Sequence, residues 1–153
     1  DDQELTLHAW GVSNPATPQW QRYALKLLFP LLRLLIRKSF RVTETSYQHA
    51  VSGIDELLAE VDGRLADGRK SLLGGDALNY TDIAFAAMTG LWLMPPGYGG
   101  GKADAVRIER ERAPADMQRD IAAWSSSNPL SVAFVERLYA EERMTEGTGQ
   151  AAR

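Results

Sequence analysis

Between Tyr80 and Leu93 the chain offers a helix with almost no polar side. Ile83, Ala84, Phe85, Ala86, Ala87, Met88, Leu91, Trp92 and Leu93 are interrupted only by Asp82 and Thr89. A helix apolar all round is stable in water only where other elements enclose it. This segment is therefore expected to be the central, buried element of whatever the chain builds. The 153 residues suit one domain, since soluble domains most often run to ~100–150 residues.

The flanking sequence supplies further helices. Trp20, Tyr23, Ala24, Leu27, Leu28, Leu31, Leu34 and Leu35 recur at three- and four-residue steps, which predicts an amphipathic helix from about Thr17 to Phe40. Thr17 suits its N-cap and Pro18 its first turn. Pro30 falls inside the pattern and cannot donate to the Lys26 carbonyl, so a kink or a break is expected there. A second helix is predicted from about Glu44 to Ala66. Its buried stripe runs Tyr47, Ala50, Val51, Ile54, Leu57, Leu58, Val61, Leu65, with Asp55, Glu56, Glu60, Asp62 and Arg64 mostly outward, and Gly68 closes it. After the apolar helix, Pro95 to Gly101 reads as a mobile loop. A charged turn or helix spans Asp104 to Arg112, a fourth helix about Ala115 to Ser126, and Pro129 opens a fifth. Ser125-Ser126-Ser127 reads as an inter-helix turn. Residues 1–17 form a lead-in with one short piece around Leu5–Trp10, residues 18–143 the helical domain, and residues 144–153 a flexible tail. No β-alternation of useful length appears. The expected fold is all-α, a bundle of about five helices.

Composition narrows the chemistry. The chain has no cysteine, which removes disulfides, thiolate metal sites and a cysteine nucleophile. His8 and His49 are the only imidazoles, unpaired by any acidic or serine motif, so no metal site and no catalytic histidine is expected. A net charge of −3 argues against nucleic acid as a partner. The longest apolar stretch, Ala24 to Ile36, is broken by Lys26, Pro30 and Arg33, so no membrane span is expected. No signal peptide opens the chain, and the start at Asp1 rather than a methionine leads us to expect further chain upstream. The charge is uneven: residues 5–43 hold six basic side chains and no acid, whereas residues 44–153 hold 17 acids and 11 bases, a net −6. The basic segment is either a solvated face beside acidic neighbours or a surface for an anionic ligand or partner.

Asn79-Tyr80-Thr81-Asp82 precedes the apolar helix and has the form of a capping box. Asn79 is placed to accept from the N–H of Asp82, and the Asp82 carboxylate to accept from the N–H of Asn79. In a buried helix start such a latch matters more than usual, because water cannot satisfy the orphan donors. Asp82 has no second carboxylate or histidine at a useful spacing, so its reading is structural rather than catalytic.

The order of these signals resembles a family. A glycine turn, Leu72-Leu73-Gly74, then the box with Asp82-Ile83-Ala84, looks like the C-terminal domain of glutathione transferases. Ala123-Trp124, Asn128-Pro129 and the closing Tyr139-Ala140-Glu141-Glu142-Arg143 are similar to the last two helices of many bacterial members. The resemblance covers about residues 18–143. It departs at the first place of the box, where the family usually has Ser or Thr and this chain has Asn79. It implies a missing N-terminal thioredoxin-like domain that binds glutathione and activates its thiol. This chain would then supply the wall of the co-substrate site and no catalytic residue. Glutathione is the implied co-substrate, a small hydrophobic electrophile the implied acceptor, and the chemistry is thiolate attack without a metal. The resemblance further implies a cytoplasmic homodimer. Trp20, Tyr23 and Leu27 match positions lining the cleft toward the missing domain, with Trp92 as a further substrate-binding candidate; core packing is the competing reading for each. Arg22 and Lys26 either draw an anion toward that cleft or are solvated surface. Two alternatives stand beside the transferase reading: a non-catalytic interaction module of similar fold, favoured by the basic segment, and an unrelated helical ligand-binding bundle.

Overall fold

The structure is a computed structural model that describes residues 3–99 and 105–142; the expected tail and the start of the charged turn lie outside the described residues. Within them the chain is all-α. Six helices follow in order: α1 (Gln3–Ala9), α2 (Gln19–Ser39), α3 (Glu44–Leu65), α4 (Tyr80–Leu93), α5 (Ala115–Ser127) and α6 (Pro129–Arg137). A 3-10 turn at Arg110–Arg112 precedes α5, and a π-helical turn, Leu138–Glu142, continues α6.

The apolar helix is placed as the sequence predicts, but it is not the hub. α6 is: it packs against α3, α4 and α5, and buries Ser131, Val132, Phe134 and Val135. Around it gather Leu58, Val61 and Leu65 of α3, Ala86 and Leu93 of α4, and Ile121 and Trp124 of α5. α4 buries Asp82, Ala86, Thr89, Gly90 and Leu93 only. Its other flank, with Ile83, Met88 and Leu91, faces solvent. α2 joins none of the principal helix pairings of this core.

α2 instead belongs to a second, smaller cluster. Phe29 is its one buried residue, held against Leu7 and Val12 of the lead-in with Leu25 beside them, and Trp10 stacks on Phe29 at 5.7 Å between ring centroids. Pro30 sits inside α2 without ending it. Pro18, not Thr17, is the N-cap, and it has no side chain to cap with. The Thr17 hydroxyl donates instead to the Gly11 carbonyl at 2.7 Å. Arg22 donates to the carbonyls of Thr17, Asn14 and Pro15, so its guanidinium folds the lead-in onto the start of the helix.

Two acids of α3 reach across to the start of α6: Asp55 stays exposed as expected, while Asp62 is half-buried. Asp62 accepts from the backbone N–H of Ser131 at 2.8 Å, and Asp55 from the Asn128 amide at 2.9 Å. The Ser131 hydroxyl donates to the Leu58 carbonyl at 2.7 Å. Asn128 makes no side-chain cap of its own, so α3 supplies from outside the acceptor that the first turn of α6 needs. Ser125 also departs from expectation: it lies in the last full turn of α5 and donates back to Ile121, a local bond that serine commonly makes inside helices.

Candidate functional site

The latch ahead of α4 closes as the sequence predicts, and further. The Asn79 side chain accepts from the N–H groups of Thr81 at 2.8 Å and Asp82 at 3.3 Å. Asp82 Oδ2 accepts from the N–H of Asn79 at 2.8 Å. Its other oxygen accepts from the N–H of Leu72 at 2.7 Å, and the Asn79 amide donates to the Ser71 hydroxyl at 2.6 Å. Asp82 and Ser71 are both fully buried. One carboxylate thus ties the Ser71–Leu72 segment to the start of α4. The far end is tied by Arg110, which donates to the Leu93 carbonyl at 2.7 Å and lies 3.6 Å from Glu136 of α6.

Held at both ends, α4 presents one wall of an apolar cavity of about 670 Å³. Ile83, Ala86 and Ala87 form that wall, with Leu78 at its start, Leu138 and Tyr139 from the end of α6, Tyr98 and Gly99 from the following loop, and Glu142 at the edge. Its volume falls in the ~300–1,000 Å³ range of small-molecule sites. Tyr139 enters beside Gly90, where any larger residue would meet its ring and hydroxyl. Tyr98 faces Tyr139 with ring centroids 6.1 Å apart and planes tilted by 58°. Positive φ at Gly97 and Gly99 turns the chain on either side of Tyr98, a conformation glycine adopts without a Cβ clash. The described part of the predicted loop forms a turn, and Gly100 and Gly101 lie outside the described residues. A smaller cavity of about 300 Å³ shares Tyr98 and is lined by charged groups, Arg107, Glu109, Arg110 and Glu111 among them.

The residues singled out from sequence are not brought together. Trp20, Tyr23 and Leu27 stand on the exposed flank of α2, Leu27 with 80% of its surface in solvent, and none of them lines either cavity. Trp92 is half-buried against the main core. Sequence reasoning missed Tyr98 and Tyr139. The available signal was the small face of α4, Ala86, Ala87 and Gly90, which leaves room for large side chains from elsewhere.

Chemically the cavity can hold an apolar molecule, with two tyrosines in its lining and one carboxylate at its edge. Among the described residues no group of three or more His, Asp or Glu side chains gathers that could hold a metal ion, and no helix is long and apolar enough to cross a membrane. One titrating pair stands apart, on the far side of the core. The Tyr47 phenol donates to Asp120, and that hydrogen bond, helped by burial, pushes the phenol above its ordinary 10.0. Comparison of the chain with known protein families, curated proteins and solved structures gave no match.

Proposed function

We propose that this chain is the acceptor-binding helical domain of a glutathione-transferase-like protein, acting beside a thioredoxin-like domain that activates the thiol. The observation that carries this reading is the apolar cavity on α4, anchored by the sealed Asn79–Asp82 latch. The latch and the apolar helix are the features on which the resemblance rests, and the cavity is the kind of wall a small hydrophobic electrophile requires. In this reading the chain contributes position, not nucleophile: the phenols of Tyr98 and Tyr139 and the wall at Ala86–Ala87 hold the acceptor while the thiolate arrives from the partner domain.

Titration calorimetry and ligand-observed NMR test it with two probes, glutathione and a small halogenated nitroarene. The expected result is saturable binding of the nitroarene, lost when Ala87→Trp fills the cavity, and no measurable binding of glutathione. Micromolar glutathione affinity in this chain, or nitroarene binding indifferent to Ala87→Trp, would sink the reading.

A further inference from the structure

Phe29 is the one residue that α2 buries, and the helix turns its opposite side to solvent. At about 100° per residue, Trp20, Tyr23, Leu27, Leu31, Leu34 and Leu35 share an arc of about 120° on that side, and all six are exposed. A row of bases runs along one edge. Lys26, Arg33 and Arg37, also exposed, fall within about 80° of Tyr23 on the same wheel. A contiguous apolar stripe of this length marks a site of interaction. Neither cavity on the body includes its residues. Protein partners anchor their strongest contacts in pockets, whereas a lipid surface needs none and takes up a convex apolar ridge directly. Charge points the same way. Residues 5–43 hold six bases and no acid, whereas the chain after residue 43 is net −6. An anionic surface attracts the first and repels the second, so the molecule meets it by its α2 edge. Trp20 and Tyr23, at the start of the stripe, are residue types that settle at headgroup level. Lysine and arginine beside an apolar face keep their stems on it and extend their charged ends to the phosphates.

We propose that α2 lies flat on an anionic phospholipid surface, with its Trp20–Leu35 stripe in the acyl boundary and Lys26, Arg33 and Arg37 at the headgroup phosphates. The helix rests on the bilayer and does not cross it: among the described residues no helix is long and apolar enough to span one. Interfacial helices seat their apolar face only ~5–10 Å deep. The Phe29 side, packed on Leu7 and Val12 of the lead-in, therefore stays in water with the acidic body. This goes beyond the acceptor-binding reading and stands whatever the cavity binds, because no small ligand enters the measurement.

The test is co-sedimentation of the 153-residue chain with vesicles of phosphatidylcholine, alone or with about a third phosphatidylserine. The native chain is expected to bind the anionic vesicles at least about 10-fold more tightly than the neutral ones, and to lose most of that preference at high salt. Neither readout needs a variant. Leu27→Asp alters an exposed position, so helix content by far-UV circular dichroism should hold, while vesicle binding should fall by at least about 10-fold. Lys26→Glu should weaken binding to the anionic vesicles and leave the neutral ones unaffected. Lipids brominated on their acyl chains should quench part of the tryptophan emission, and Trp20→Phe should abolish that quenching. A native chain that ignores anionic vesicles overturns the proposal, as does binding indifferent to Leu27→Asp with helix content intact, or quenching that survives Trp20→Phe. A chain that ignores vesicles but binds polyglutamate, and loses that binding with Leu27→Asp, assigns the stripe to an acidic protein and equally overturns it.

Discussion

The fully buried Asp82 receives two backbone N–H groups, one from Leu72 and one from Asn79. Removing the carboxylate strands both, and buried donors left without a partner cost about 1–3 kcal/mol each. Asp82→Ala is accordingly expected to destabilise the fold by about 2–4 kcal/mol in urea denaturation. Asn79→Ser, which keeps an acceptor at the N-cap, should lose no more than about 1 kcal/mol. A second residue-scale prediction concerns Asp67. The Arg69 guanidinium and backbone N–H both donate to its carboxylate, and hold it down to about 2 from 3.8. A lowered carboxylate contributes its stability above the unfolded value, and that contribution is lost as pH falls through about 2. NMR titration of the Asp67 carboxyl should therefore find it ionised at pH 3, and Arg69→Gln should return it toward 3.8. Tyr47 runs with the opposite sign. Its raised phenol is stabilising below 10.0 and loses that contribution as pH climbs past its folded value. Asp120→Asn, read from the ring-carbon shift of Tyr47, should lower that value.

At the scale of elements, the interlock of Tyr139 with α4 makes a sharp case. Glycine in a helix interior is costly relative to alanine, so on propensity alone Gly90→Ala should stabilise α4. Here the added methyl would run into the Tyr139 ring and hydroxyl, and overfilling a tight core costs about 1–3 kcal/mol. Gly90→Ala should lower the thermal midpoint, and Tyr139→Leu in the same chain should recover part of the loss. The boundaries of α4 were legible in the sequence because the Asn79–Asp82 box opens it and Pro95-Pro96 forbids its continuation. Less was legible where a partner from elsewhere decides. Asp62 looks solvated on a helical wheel, yet the backbone N–H of Ser131, 69 residues away, draws it in. The cavity was hidden for the same reason: it forms only when Tyr98 and Tyr139 meet over the small face of α4. Periodicity also could not say which apolar helix would be enclosed, since α2 and α4 both ask for cover and the choice of hub fell to α6.

For the whole molecule, the consequence is two cores of unequal strength. Among the described residues, the α3–α6 body shares one cluster of fourteen buried apolar residues, whereas α1, the lead-in and α2 share three. A bond between the two parts, from the His8 ring to the Arg107 carbonyl at 3.0 Å, lies at their edge. Burial of apolar area sets how much free energy a unit needs to open, and units with few buried contacts open first. Native-state hydrogen exchange should therefore show the amides of α2 exchanging through an opening of lower free energy than those of α4 and α6. Low concentrations of denaturant should accelerate α2 before the body responds. If α2 and α6 exchanged through one shared opening with the same denaturant dependence, the two clusters would behave as one cooperative unit.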